Sequence, residues 1–222
     1  AGRRFRGTDL NPEAVRLSPD FAPAYSGLSD AYAWAAFNEG FITALDAKPR
    51  ARDAAERAVR LDSLSAEAHT SLAVYMAWFD YDWAGSEQEF RRALALNPNY
   101  AFARDQFGLM LSIVGRFDEA LAEGKRAMAL DPLSPSILID AVDAYMYSEK
   151  KEQALELTRK AIELDPAFFF PVFNQGSMAY YAGDYPAAIA KLEQARALGA
   201  PPFVTAHLAY AYGMAGDRPR AM

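Results

Sequence analysis

The sequence contains no cysteine among its 222 residues. This excludes a disulfide-stapled secreted module and any zinc or iron–sulfur site with cysteine ligands. Uninterrupted apolar runs do not exceed eight residues, far short of the roughly 20 that span a bilayer. No basic segment followed by an apolar stretch opens the chain at Ala1, which leaves open whether a segment precedes it.

Short punctuation motifs recur along the chain. Each has a leucine, a polar residue, and a proline or its substitute: Leu17–Pro19, Leu61–Ser63, Leu96–Pro98, Leu130–Pro132, Leu164–Pro166 and the degenerate Leu198–Ala200. The steps between their third residues are 44, 35, 34, 34 and 34. A fixed step of this length predicts a repeated helical hairpin.

Small side chains recur in the same register. Three positions of each repeat are predicted to lie where its two helices cross, and close crossing requires small residues. Sixteen of the seventeen such positions between Ser29 and Ala221 are Ala, Gly or Ser, although these types fill only 70 of the 222 positions. Val142 is the exception.

The repeats resemble those of the tetratricopeptide-repeat family. The third repeat carries Phe107-Gly108, Leu111, Ala120, Ala127 and Pro132 at the signature positions. The resemblance covers residues 14–222 and implies an all-α, right-handed α-solenoid of helix-turn-helix repeats. The predicted segments are a partial N-terminal repeat or cap at 1–21, then repeats at 22–65, 66–100, 101–134, 135–168, 169–201 and a partial one at 202–222.

The pattern also predicts the individual helices. First helices are expected at about 22–37, 66–79, 101–114, 135–147, 169–182 and 202–215. Second helices are expected at about 48–61, 83–96, 118–130, 151–164 and 186–198. The first repeat is ten residues too long, with the excess around 38–46. It is interpreted either as an extended first helix with a packed loop or as a loop that contacts a partner.

A second, weaker resemblance concerns the turn Trp78–Gly85 together with the long first repeat. Both look like bacterial tetratricopeptide regions attached to winged-helix activators, serine/threonine kinases or nucleotide cyclases. That implies a regulatory or scaffolding module whose effector lies outside this chain. The turn's aromatic residues are interpreted as packing residues in preference to a ligand site.

Motifs for catalysis are missing. The sequence has no Gly-rich phosphate loop and no GxSxG or HExxH motif. Its two histidines, His69 and His207, are 138 residues apart, too distant along a solenoid to share a metal. We therefore predict that the protein is not an enzyme and needs no cofactor or metal.

Charge argues against nucleic acid as a partner. The chain has 29 acidic and 23 basic residues, a net charge of −6. Four basic pairs lie on predicted second helices, which form the outer surface in this family: Arg91-Arg92, Lys125-Arg126, Lys150-Lys151 and Arg159-Lys160. We interpret them as a solvated surface and expect no nucleic-acid binding.

The resemblance places a concave groove on the first helices, at the second, fifth, sixth, ninth, twelfth and thirteenth residues of each repeat. These 36 positions contain no lysine or arginine, five acids and ten aromatic residues, Phe203 among them. The predicted partner-binding residues are Asp30, Trp34, Glu67, Trp78, Phe102, Asp105, Gln106, Asp140, Asp143, Tyr147, Phe170, Phe173, Asn174, Tyr180, Tyr181 and Tyr210. For the aromatic residues, packing between hairpins is an equally weighted alternative.

These residues predict a peptide or protein partner with apolar anchors and Lys or Arg, held mainly by 102–181. Some tetratricopeptide domains bind the acidic C-terminus of heat-shock chaperones through basic groove residues, and this groove lacks them. The alternative function is a ligand-sensing regulatory domain of a transcriptional or signalling protein. Terminal helices without neighbours would leave apolar surface uncovered, which favours a homo-oligomer or a longer chain. The expected location is the cytoplasm.

Overall fold

The computed structural model describes residues 12–39 and 42–221, and these residues form helices and turns without a strand. They fall into two compact units, one ending at Asp131 and one beginning at Pro132. Of the predicted segment 1–21, residues 1–11 lie outside the described residues. Its described part begins with a short helix at Pro12–Leu17.

The first unit contains seven α-helices within its described residues. They are α1 (Pro12–Leu17), α2 (Ala22–Trp34), α3 (Ala44–Leu61), α4 (Ala66–Tyr75), α5 (Trp83–Leu96), α6 (Ala101–Ile113) and α7 (Phe117–Leu130). Helices pair in chain order as α2 with α3, α4 with α5, and α6 with α7. The first helices of neighbouring pairs also touch, α2 against α4 and α4 against α6. The unit is thus a stack of three hairpins.

The second unit repeats this arrangement. Its helices within the described residues are α8 (Pro135–Tyr147), α9 (Lys151–Leu164), α10 (Phe169–Tyr181), α11 (Tyr185–Ala197), α12 (Pro202–Met214) and α13 (Arg218–Ala221). Helices α8 and α9 pair, as do α10 and α11, while α12 packs on α11 and α13. The predicted all-α fold of stacked helix-turn-helix repeats is confirmed within each unit.

The small residues lie where the pattern predicts close crossings. All fifteen crossing positions of the five complete hairpins, Val142 included, are buried. Two crossing serines also bond across the hairpin: Ser29 Oγ donates to the Ala51 carbonyl at 3.0 Å, and Ser86 Oγ to the Ala73 carbonyl at 2.9 Å. Small side chains let each helix come this close to its partner's backbone.

In three hairpins the polar residue of the motif holds the turn that follows the second helix. The carboxylate of Asp62 accepts a hydrogen bond from the Leu64 amide at 3.0 Å, and that of Asp165 accepts one from the Ala167 amide at 3.0 Å. Asn97 does the same with Asn99 at 3.1 Å. Such side chains hold a turn because they bond the backbone two residues on.

The first repeat corrects one predicted boundary. Helix α3 begins at Ala44, four residues before the expected position, because Thr43 caps it by accepting the Asp46 amide at 3.1 Å. Helix α2 continues as a π-helical turn over Ala35–Glu39. The two extensions absorb most of the ten extra residues. The loop prediction falls partly on residues 40 and 41, which lie outside the described residues.

A second π-helical turn, Met76–Asp80, follows α4. Asp80 accepts a hydrogen bond from the Tyr75 hydroxyl at 3.0 Å and pairs with Lys48 Nζ at 2.8 Å. Burial raises the pKa of Tyr75 to about 12, with the bond to Asp80 adding to the rise. Phe37 from the first π turn packs against Phe79, with ring centroids 4.9 Å apart. Phe79 therefore packs inside the protein, as the packing interpretation expected, whereas Tyr81 of the Trp78–Gly85 turn is exposed.

Candidate functional site

Three residues from neighbouring repeats form an acidic face on the first unit, defined here as Asp30, Glu67 and Tyr100. Asp30 lies on α2, Glu67 in the first turn of α4, and Tyr100 directly before α6. The negative charges of Asp30 and Glu67 both act on the Tyr100 phenol. Because α2, α4 and α6 pack side by side, residues 70 positions apart in sequence come within electrostatic reach.

Asp30 is the unusual member of the acidic face. Its Oδ1 atom is buried, and no hydrogen-bond donor among the described residues reaches it. Burial raises the pKa of Asp30 to about 7, with a hydrogen bond to Ser71 acting in the opposite direction. The side chain as a whole is half-buried. A carboxyl group in such a position is stabilised in its charged form by a cation that approaches its exposed side.

The other two residues frame this carboxyl group. Glu67 is exposed, and its Oε2 accepts a hydrogen bond from Ser65 Oγ at 3.0 Å. Burial raises the pKa of Tyr100 above its ordinary value, and the two carboxylates add to the rise. Tyr100 therefore stays protonated and can donate. It was absent from the predicted set because it precedes the helix that carries the predicted groove positions.

The remaining predicted residues of the first unit occupy different environments. Phe102 is half-buried, with its ring 6.1 Å from that of Tyr100. Asp105 is only 5% exposed and accepts a hydrogen bond from Gln106 Nε2 at 3.1 Å. Asp105 thus lies inside the packing and not on an open surface. Trp34 and Trp78 are half-buried, the latter 6.2 Å from the Phe37 ring.

In the second unit, α8 carries three predicted residues. Asp140 is half-buried, whereas Asp143 and Tyr147 are exposed. Although the Asp143 side chain reaches solvent, desolvation by the protein around it raises the pKa of its carboxyl group. A carboxylate in such a position gains from a cation that approaches it.

Helices α10 and α12 bring aromatic residues together. Phe170 and Phe173 of α10 lie 6.1 and 5.2 Å from the Phe203 ring of α12. The His207 ring packs edge-on against Phe173 at 5.1 Å, and its Nδ1 donates to the Phe203 carbonyl at 2.9 Å. Asn174, also on α10, is half-buried. Part of the predicted aromatic set therefore packs between repeats, as the alternative interpretation required.

Beyond this packed group lies a tyrosine cavity of about 180 Å³. Its lining residues are Ser177, Tyr180, Tyr181, Leu192, His207 and Tyr210. Tyr181 is 84% exposed and Tyr210 61% exposed, so their rings reach solvent at the rim. A hydrogen bond with Tyr210 raises the pKa of Tyr180 to about 12. The phenol therefore remains protonated in neutral solution.

Besides Leu192 of α11, two lining residues, Ser177 and His207, were not among the predicted binding residues. Both occupy groove positions of the repeat, the ninth of the fifth repeat and the sixth of the sixth. The repeat pattern therefore placed both residues in the predicted groove. They were left out because neither is an acid, an amide or one of Phe, Tyr and Trp.

Other charged groups serve packing. His69 is 1% exposed, with Nδ1 2.5 Å from Glu89 Oε2 and Nε2 3.0 Å from the Ser63 carbonyl. Both ring nitrogens face acceptors, so the His69 ring links α4 to Glu89 of α5 and to the turn before α4. On second helices, Arg91 pairs with Glu87 at 2.7 Å, and Arg126 pairs with Glu123.

The described residues contain no group of three or more His, Asp or Glu side chains placed to hold a metal ion. Among the described helices, none combines the length and the apolar character that a membrane crossing requires.

Comparison with known proteins identifies the repeat. No family model matches the chain. Tetratricopeptide repeat protein 28 of Homo sapiens is 32% identical over 130 residues, which are 57% of this chain and 5% of that protein. The repeats are tetratricopeptide repeats. The chain matches only this small part of its curated relative, and the Mus musculus protein of the same name gives the same identity over 111 residues.

Solved structures with tetratricopeptide repeats show the same architecture. YrrB, described as a tetratricopeptide protein with an unusual peptide-binding site, is 27% identical, with a TM-score of 0.50 over 72% of this chain and 77% of that one. The APC/C hetero-tetramer Cut9-Hcn1 matches 97% of this chain and 41% of that one, at a TM-score of 0.80 and 15% identity. The second match concerns the fold alone.

Proposed function

We propose that the chain is a scaffold that binds a peptide or protein through the first helices of its tetratricopeptide repeats. The observation that carries the proposal is the acidic face, where the enclosed Asp30 oxygen has no donor among the described residues. An unsatisfied buried acceptor destabilises a protein. The Asp30 side chain is half-buried, and a cation on a partner that approaches its exposed side would favour the carboxylate. The peptide-binding site described for YrrB supports the same use of this fold.

The partner class follows from charge and ring chemistry. Asp30 and Glu67 in the first unit, and Asp143 in the second, favour Lys or Arg near their carboxylates. The exposed aromatic rings of the second unit suit apolar anchors, since aromatic residues dominate binding hot spots. An acidic tail would meet like charge on both units. The partner is therefore a peptide segment that combines basic and apolar residues.

The test compares basic-apolar peptides with acidic-tailed peptides by titration calorimetry. The unmodified chain is expected to bind the basic-apolar set more tightly. Glu67→Lys and Asp143→Lys reverse a charge on an exposed side chain of each unit, and each is expected to weaken that binding about tenfold. Glu152→Lys makes the same charge change on the exposed surface of α9 and serves as the matched control.

Two results would count against the proposal. One is tighter binding of the acidic peptides by the unmodified chain. The other is an equal loss from Glu152→Lys, since that result would trace the effect to net charge and not to the first helices.

We also propose that the scaffold is a regulatory module of a larger bacterial protein. The support is the resemblance of the Trp78–Gly85 turn and the lengthened first repeat to bacterial tetratricopeptide regions. The two π-helical turns at these places also pack on one another, through the rings of Phe37 and Phe79. Fusion of the chain to its natural neighbouring domain would test this. This proposal predicts that a basic-apolar peptide changes the neighbour's activity, and that Glu67→Lys raises the peptide concentration needed for that change about tenfold.

A further inference from the structure

The tyrosine cavity differs chemically from the acidic face. None of its six lining residues is Asp, Glu, Lys or Arg. A carboxylate or phosphate ligand would find no lysine or arginine in this lining, and an ammonium group no carboxylate. The lining therefore fits a ligand segment without net charge.

The polar groups of the lining are hydroxyls able to donate. Tyr180, Tyr210 and Ser177 each carry one hydroxyl proton, and the Tyr180 and Tyr210 rings lie 5.5 Å apart. Their hydroxyls can donate to a ligand placed in the cavity. His207 is already oriented, because its Nδ1 donates to the Phe203 carbonyl. A complementary ligand presents carbonyl acceptors to these hydroxyls.

Ring surface surrounds the hydroxyls. The Tyr180 ring lies 5.5 Å from Tyr181, 5.5 Å from Tyr210 and 5.7 Å from Tyr185, centroid to centroid. The rings of Tyr180 and Tyr181 stand at 78° to one another, so the two form a corner and not a flat stack. A corner of this kind accepts a compact apolar ring.

A proline-rich segment meets all three conditions. In the polyproline II conformation its backbone carbonyls make no internal hydrogen bonds, and its rings project from a stiff, pre-ordered helix. Proline has no backbone N–H that would require an acceptor. Other domains bind such segments in aromatic-lined grooves because little entropy is lost on binding.

We propose that the tyrosine cavity binds a neutral proline-rich segment in the polyproline II conformation. The inference rests on the proposed peptide-binding function and names the peptide class that the second unit takes. It does not depend on the charges of the acidic face, which lies in the first unit.

The experiment titrates the full chain with capped decaproline. The controls are a capped Gly-Ser peptide of equal length and a trimethyl-lysine peptide, which tests a cation–π cage instead. Decaproline is expected to bind, while the Gly-Ser peptide does not and the trimethyl-lysine peptide binds more weakly. No binding of decaproline, equal binding of the Gly-Ser peptide, or preference for trimethyl-lysine would overturn the inference.

Variants locate the binding. Tyr181→Ala removes a ring that is 84% exposed and should leave the fold intact while weakening decaproline binding about tenfold or more. Tyr210→Phe keeps the ring and removes a hydroxyl, and should weaken binding about threefold to tenfold. Tyr81→Ala removes an exposed tyrosine of the first unit and should change nothing. Decaproline binding unaffected by Tyr181→Ala would place the ligand elsewhere and refute the site.

A basic-apolar peptide without proline separates this inference from the proposed function. If that peptide binds and decaproline does not, the proline inference alone is wrong. If decaproline binds through Tyr181 and the basic peptide does not, the cavity assignment stands and the basic partner class fails. If neither binds, both fail.

Discussion

Replacing Asp30 with asparagine tests whether the enclosed carboxyl group opposes folding at neutral pH. Burial raises the pKa of Asp30 from 3.8 to about 7. The folded chain then keeps a proton that the unfolded chain has lost, so the free energy of unfolding falls as pH rises through about 4 to 7. Asparagine has nearly the same shape and does not titrate.

The magnitude follows from the shift. About three pKa units at about 1.4 kcal/mol each would give about 4 kcal/mol for a fully enclosed carboxyl group. Asp30 is half-buried, and water at its exposed side stabilises the carboxylate. We therefore expect Asp30→Asn to raise the free energy of unfolding by about 2 kcal/mol near pH 8 and by little near pH 4.

Urea unfolding followed by circular dichroism, repeated across this pH range, measures the difference between the two chains. Taking a difference removes the contribution of every other titrating group. Asp53→Asn is the matched control, because Asp53 is exposed on α3 of the same unit, and it should give a flat difference. A flat difference for Asp30→Asn as well would refute the buried-carboxyl argument.

Three further predictions concern the packing of the repeats. A Cβ at Gly176 would lie 2.9 Å from Leu192 Cγ, so Gly176→Ala should lower the free energy of unfolding by about 1–3 kcal/mol. At Gly27 a Cβ would meet nothing within 4 Å, so Gly27→Ala should raise the free energy of unfolding by up to about 1 kcal/mol. Equal effects of the two substitutions in urea unfolding would contradict both predictions. Ala127 is fully buried, and Ala127→Leu should lower the free energy of unfolding by about 1–3 kcal/mol because it forces the two helices of the third hairpin apart. If this variant melts at the same temperature as the unmodified chain, the assignment of positions within the repeat is wrong. Glu149 has φ 58° where the turns of the third and fifth repeats have Gly115 and Gly183, so Glu149→Gly should stabilise by up to about 1 kcal/mol, and a lower melting temperature would argue against backbone strain there.

Most of the repeat architecture could be predicted because it depends on short-range patterns. Small residues such as Ala120 and Ala127 recur at almost every position where two helices of a hairpin cross, and a polar residue such as Asp165 follows most second helices. The start of α3 and the end of α4 could not be predicted in this way. Helix α3 begins ahead of Pro49 because the Thr43 side chain caps it. The π turn after α4 is held by an ion pair between Asp80 and Lys48, which lies 32 residues earlier.

For the candidate binding residues, too, some properties could be predicted from the sequence and others depend on tertiary contacts. Sequence alone determined which positions belong to the first helices, which groove positions carry acid or aromatic side chains, and that the groove positions contain no lysine or arginine. Tertiary structure decided that Asp105 is buried, that Asp30 lies with Tyr100, and that Ser177 and His207 complete the tyrosine cavity. The physical reason is that a side chain's exposure and pKa depend on atoms from neighbouring repeats, whose distances a periodic pattern does not contain.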